Sequence, residues 1–363
     1  MIGRMTTLTR TFPAASSLRA RIVKLAEMIA TPLVADYLDL VNPLQPHEPP
    51  HLAARSMSRN DLKSLALRDD VLRYVDVGDG PPVVLVHGLL GSHESWGPQI
   101  DKLATSYRVI APDLLGHGQS DKPEADYSLS SHAATLRDLM DHLDIPAAPF
   151  VGHSLGGGIT MQMTYLFPGR VDRMCLVSSG GLGREVSPLL KAASLPGSGL
   201  VLPVLASDWV RRNTAGALAQ LRRLGVSVGP SPSAAETSWR SFGTVADKST
   251  RKAFLASTRA VVGPRGQTVS AKQHFPKFDT TASLLIWGGK DTMIPASHTD
   301  NVRREVPNSR VEIFPNAGHF PQLDEPELFF RVLDEFLRSE PEGRTVRYYF
   351  MAKRIMEPGV ERC

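Results

Sequence analysis

The chain has 363 residues, 42% of them hydrophobic, a formal net charge of +4 and only two cysteines; it can bury a sizeable core but has too few thiols for a disulfide framework. The excess charge lies towards the ends, +3 over residues 1–64 and +1 over residues 339–363, which leaves 65–338 formally neutral. That distribution argues against a basic nucleic-acid groove, and no apolar run approaches the roughly 18 to 20 residues of a spanning helix.

The N-terminus lacks a compact apolar stretch followed by a small-residue cleavage site, so it is a poor secretory signal and the cytoplasm is the expected compartment. In "SLRARIVKLAEMIATPLVADYLDL", Leu18, Ile22, Leu25 and Ile29 fall at helical spacing beside basic residues. Residues 1–40 are therefore expected to supply peripheral contact with a protein surface or a membrane. The proline-rich "NPLQPHEPPHLAARSMSRN" reads as a linker that ends an N-terminal extension over 1–64. His47 and His51 within it have no helix to align them as metal ligands.

From residue 65 the pattern becomes short apolar strands separated by helix-length segments. Strands are predicted at 71–78, 82–88, 107–113, 148–154, 172–179, 282–289 and 309–316, and helices at 128–143, 155–167 and 325–338. This alternation implies an α/β fold, a mostly parallel doubly wound sheet with helices on both faces and function at the carboxyl ends of its strands. About a hundred residues separate the strand near Ser179 from the next near Ala282, too long for a bare loop, so a helical cap is expected at 183–275. Residues 339–363 form a tail. Cys175 sits in the apolar run "RMCLVSS" and reads as a buried thiol; Cys363 is the last residue.

"VGHSLGGG" places Ser154 between a buried strand and a helix. Gly152-His153-Ser154-Leu155-Gly156 is a G-x-S-x-G elbow, a turn so tight that flanking side chains would clash, which lifts the serine hydroxyl above the sheet. A serine needs a base to take its proton and a third group to hold the base. "SLLIWGGKDTMIP" supplies Asp291 just after a strand, and "VEIFPNAGHFPQLDEPE" supplies His319 after the last one, in the chain order Ser, Asp, His. The amides of Leu155 and Leu89 are the expected oxyanion donors. His87, His153 and Asp113 are expected to be structural, and Asp324 to cap the last helix.

These stretches, with "VHGLLGSHESW" and "APDLLGHGQSDKP", resemble the α/β-hydrolase superfamily over roughly residues 66–338, and its actinobacterial carboxylesterase and lipase-like members most of all. The resemblance implies the triad Ser154, Asp291 and His319 and a cap between the sixth and seventh strands. A serine at the elbow argues against the branches that use aspartate there, the haloalkane dehalogenases and epoxide hydrolases. The absence of a glycine-rich run after "HG" weakens the C–C bond hydrolase branch. No metal or organic cofactor is expected, the chain having neither a complete G-x-G-x-x-G nor a P-loop.

The expected substrate is a hydrophobic small-molecule ester, met by Trp96, Trp209, Trp239 and Phe242. The alternatives are a C–C bond hydrolase of the meta-cleavage type and a hydrolase-fold ligand-binding protein with little turnover.

Overall fold

A computed structural model describes residues 62–207, 241–278, 281–306 and 308–339. The expected N-terminal helix, the linker with His47 and His51, Trp209, Trp239 and the C-terminal tail lie outside the described residues.

Eight strands form one sheet: β1 (Lys63–Leu67), β2 (Asp70–Val77), β3 (Pro82–Val86), β4 (Arg108–Asp113), β5 (Ala148–His153), β6 (Val171–Val177), β9 (Ala282–Gly288) and β10 (Ser309–Phe314). Their order is β1-β2-β4-β3-β5-β6-β9-β10. β1 and β2 are antiparallel to their neighbours and the rest run parallel. Seven of the eight were expected within a residue or two of their bounds. β1 was not, because "KSLAL" carries only a short alternation; it opens at Lys63, so the domain begins before the expected boundary at residue 65.

Both faces of the sheet are buried, so the central strands read as continuous apolar runs. Along β3, Val84 and Val86 point into one core while Val83 and Leu85 point into the other. β9 repeats the pattern, with Leu285 and Trp287 on the first side and Leu284 and Ile286 on the second. The first core receives Leu136 and Met140 from α2 (Leu129–His142) and Ile159 and Met163 from α3 (Leu155–Leu166), together with Val302 from α8 (Thr299–Glu305). The second receives Ile100 and Leu103 from α1 (Gly97–Leu103), and Phe329, Leu333 and Phe336 from α10 (Pro326–Arg338). By the usual ~25 cal/mol per Å² of apolar surface buried, each such aliphatic or aromatic side chain contributes about 1.5–3 kcal/mol against the entropy of ordering the chain.

Between β6 and β9 the described chain is mainly helical. It forms α4 (Pro188–Ser194), α5 (Ser198–Leu205), α6 (Lys248–Val261), a two-stranded ribbon of β7 (Val262–Gly263) and β8 (Gly266–Gln267), and the one-turn α7 (Phe275–Phe278). Asp247 caps α6 by accepting the Thr250 N–H at 2.8 Å. This insertion has its own small apolar cluster: Ala193, Leu202, Ala206, Val245, Phe254 and Leu255.

No helix among the described residues is long and apolar enough to cross a membrane.

Candidate active site

The sheet order reverses beside β3: the chain goes from β3 to β4 on one side, then crosses back to β5 on the other. Loops leaving the carboxyl ends of β3 and β5 therefore diverge and open a crevice, the place where such sheets bind ligands. Leu89 follows β3 and Ser154 follows β5.

Ser154 has φ 54° and ψ −112°, a strained conformation for a residue with a side chain, of the sort that costs about 1–3 kcal/mol. Its backbone is held on both sides: its N–H donates to Val177 O at 2.9 Å and its carbonyl accepts from Gly180 N–H at 3.0 Å. The glycines of the motif are where other backbones pass. A Cβ on Gly152 would collide with Gly156 O, and one on Gly156 would collide with the carbonyls of Val86 and His87. The serine is thus partly exposed at the top of a turn that is otherwise buried, and α3 starts directly beneath it. The N–H groups of Leu155 and Leu89 engage no acceptor among the described residues. Leu89 stands in the turn closed by Gly91 N–H to Gly88 O at 2.9 Å, followed by Leu90 at φ 58°.

Asp291 and His319 are brought together from separate loops. The His319 Nδ1–H donates to Asp291 Oδ2 at 2.8 Å. The other carboxylate oxygen accepts the N–H groups of Met293 at 2.8 Å and Ile294 at 2.9 Å, and Trp287 Nε1–H holds Ile294 O at 3.0 Å. Burial pushes the Asp291 carboxyl up, but the charge and hydrogen bond of His319 and the two amides outweigh it and keep it below the ordinary carboxylate value. Asp291 therefore stays ionised, and the His319 nitrogen that faces away from it is Nε2.

The His319 ring lies 4.9 Å from the ring of His153, the residue before Ser154. His153 Nε2–H donates to the carbonyl of His319 at 2.8 Å. No hydrogen bond reaches the Ser154 hydroxyl among the described residues; contacts of this kind commonly tighten only with substrate in place.

His87 and Asp113 are both buried and hydrogen-bonded to neighbouring loops. The His87 Nδ1–H donates to Gly88 O at 2.7 Å while Nε2 accepts the Leu114 N–H at 3.0 Å, which fixes its tautomer and anchors the Leu89 turn. Asp113 is fully buried and accepts from the N–H and Nδ1 of His93, at 2.7 and 2.8 Å, and from the Gln119 N–H at 2.7 Å. These bonds tie the His93 turn to the loop at Gln119.

Three expectations need correction or completion. Trp96 does not face a ligand: it is 0% exposed, in the second core against Phe329, with its edge to His153. Its large apolar surface is used to support the elbow from below. Asp324 does not cap the last helix, for which Glu325 is the N-cap residue and gives no side-chain cap; Asp324 Oδ2 instead accepts the Gly318 N–H at 2.7 Å, one residue before His319. Phe242 does stand by the insertion's apolar cluster, which also touches Leu89 and Leu90. Sequence reading missed the ties from His153 and Asp324 to the His319 loop, since spacing carries no signal for a side chain reaching a distant backbone.

Among the described residues no group of three His, Cys, Asp or Glu is placed to hold a metal. One cleft of about 610 Å³ lies between the 122–127 loop and the start of α6, and none of Ser154, Asp291, His319, Leu155 and Leu89 lines it.

Residues 81–326 match a family model described as the alpha/beta hydrolase fold. The chain belongs to the α/β-hydrolase family. An uncharacterized protein of Mycobacterium tuberculosis is 38% identical over 269 residues, covering 73% of this chain and 77% of that one. The 2-hydroxy-6-oxo-2,4-heptadienoate hydrolase of Pseudomonas putida is 27% identical, covering 73% of this chain and 92% of its own length. An esterase from Thermogutta terrifontis superposes with a TM-score of 0.58 over 76% of this α/β hydrolase and 97% of that chain, at 22% identity, which is a likeness of fold.

Proposed function

We propose that this α/β hydrolase cleaves carboxylic esters with an apolar acyl or alcohol group, through Ser154, His319 and Asp291 and an acyl-enzyme. The observation that carries the reading is the strained Ser154 elbow, tied through its neighbour His153 to the residue whose imidazole is paired with buried Asp291.

His319 Nε2 takes the hydroxyl proton as Ser154 Oγ attacks the ester carbonyl, and Asp291 stabilises the imidazolium and holds its orientation. The carbonyl oxygen gains negative charge and is met by the N–H groups of Leu155 and Leu89, Leu155 lying also at the positive end of α3. His319 returns its proton to the leaving alkoxide, giving the alcohol and the acyl-Ser154. It then takes a proton from water, whose oxygen attacks the acyl carbon; the bond from that carbon to Ser154 Oγ breaks, His319 returns the proton to Oγ, and the acid is freed. Each oxyanion donor is expected to contribute about 10²- to 10³-fold in kcat.

Preference for an apolar group is supported by the insertion's cluster, which packs on Leu89 and Leu90, so a ligand carbonyl held there is bordered by aliphatic side chains. A second reading, hydrolysis of a C–C bond beside a carbonyl, is favoured by the likeness to the heptadienoate hydrolase. A substrate of that kind carries a carboxylate needing a cation.

The test is turnover of p-nitrophenyl esters from short to long acyl chains against turnover of a vinylogous diketone acid, with wild type and Ser154→Ala. Ester hydrolysis lost in the variant is the expected result. A much larger kcat/KM on the diketone would favour the C–C reading. Slow turnover with tight retention of one ligand would favour a binding protein.

A further inference from the structure

The position of an imidazole is set by its backbone as much as by its partner. His319 lies beyond the end of β10, outside the ladder; its ring is buried against His153 and Phe320, and its side chain is tied to Asp291 by one hydrogen bond. Ring packing and that one bond orient the imidazole, and the path of the main chain sets how far it reaches.

Two side chains hold that path. Asp324 Oδ2 accepts the N–H of Gly318 at 2.7 Å, and the Nε2–H of His153 donates to the carbonyl of His319 at 2.8 Å. These atoms are the two ends of the Gly318–His319 dipeptide, one held by the last residue of the short helix α9 (Pro321–Asp324) and the other by the residue adjoining the nucleophile. We propose that His153 and Asp324 are positioning residues that clamp this dipeptide and so set the reach of the His319 imidazole to Ser154. The inference rests on the assignment of Ser154, Asp291 and His319 made above.

His153 suits this place for a further reason. It is 1% exposed, between Trp96, Phe320 and the His319 ring, and its Nδ1 has no hydrogen-bond partner among the described residues. Burial above all, then the nearby His319, push its pKa down to about 3, so it stays neutral. A neutral donor can hold the His319 carbonyl without placing a positive charge beside the imidazolium that forms in each turnover.

A role in packing alone makes a different forecast from a role in positioning. His153→Phe keeps an aromatic ring and removes the donor, while His153→Gln restores a neutral N–H; Asp324→Ala removes the acceptor and Asp324→Asn restores it. With the full chain and a p-nitrophenyl ester, the Phe and Ala variants are expected to lose about 10- to 100-fold in kcat with KM changed less than about twofold, since a shift of about 1 Å in a reacting group has effects of that size. Tm measured beside activity is expected to stay near wild type in the Asp324 pair, and His153→Gln and Asp324→Asn are expected to recover most of the loss.

Wild-type kcat in His153→Phe and Asp324→Ala, with Ser154→Ala inactive, overturns the clamp and leaves the triad standing. A loss that follows Tm and is not recovered by Gln or Asn overturns it also, in favour of packing. Should His153→Phe fail to fold, the Asp324 pair alone decides. Full activity in Ser154→Ala removes the assignment beneath both.

Discussion

The elbow around Ser154 and the insertion between β6 and β9 are held together by different means. Around the elbow, backbone passes backbone at glycines, the main chain of Ser154 is hydrogen-bonded at both its N–H and its carbonyl, and side chains such as His87 and Asp113 are buried to anchor adjoining loops. In the insertion, a small apolar cluster holds short helices whose outer faces are left open: Leu189 is 65% exposed and Leu200 84%. Backbone contacts at glycine admit almost no change, whereas aliphatic contacts tolerate many substitutions of similar volume. One architecture can therefore keep its elbow fixed while its insertion is free to vary.

The largest expected effect tests whether the fixed region performs chemistry at all. Asp291→Asn keeps the shape but no longer holds the imidazole in its working tautomer or stabilises its charge, and is expected to lower kcat by about 10³- to 10⁴-fold with little change in KM. Steady-state kinetics on one good ester substrate would show it. A loss below about tenfold would mean that Asp291 orients nothing of consequence.

Next is the buried His93–Asp113 pair, where removing one partner strands the other; Asp113→Asn is expected to cost about 3–5 kcal/mol near neutral pH. Burial raises the Asp113 carboxyl, but His93 more than offsets this and holds it low, so its contribution is present above about pH 4 and is lost as pH falls through the folded value. For His93, burial lowers and Asp113 raises, with a net rise. Its contribution is therefore full below about pH 6.5 and is lost as pH climbs through the raised value. Urea unfolding across pH should thus show the gap between wild type and Asp113→Asn widest between about pH 4 and 6.5 and narrower on both sides. A gap that is flat with pH would contradict the pairing.

The glycine triplet sharpens the contrast within a few residues. Gly156→Ala would push a Cβ into the carbonyls of Val86 and His87, and is expected to cost about 1–3 kcal/mol or more and to displace the Leu155 amide, lowering kcat as well. At Gly158 the added Cβ would meet Leu129 at 3.4 Å, an ordinary contact, so Gly158→Ala is expected to be neutral or to stabilise by up to about 1 kcal/mol. Thermal unfolding of the two variants side by side checks this, and equal effects would mean the tight packing is not what the motif requires. The smallest effect is expected in the insertion, where Leu200→Ser on the open face should change stability by no more than about 0.5 kcal/mol.

The same contrast explains what could be read from the sequence. Strands buried on both faces, such as "PVVLV" and "SLLIWG", announce themselves as apolar runs, and Ser154 and Asp291 each follow one; His319 follows the edge strand β10, which shows by its alternation of apolar and polar residues. β1 was missed because an edge strand with one buried face has little apolar signal. Trp96 was misplaced because composition near a crevice does not say which side of the sheet a side chain takes. Asp324 looked like a helix cap because "DEP" has the local chemistry of one; its real partner is the amide of Gly318 across a turn. What an apolar insertion binds depends on a surface assembled from several separated segments, and no short stretch of sequence encodes that.

The most direct test is to quench the enzyme during turnover of a p-nitrophenyl ester and weigh the intact protein and its peptides. An added acyl group on the peptide that contains Ser154, formed and then lost as substrate runs out, is the expected result. Turnover with no adduct, or an adduct on another residue, would contradict the assignment of Ser154 as the nucleophile.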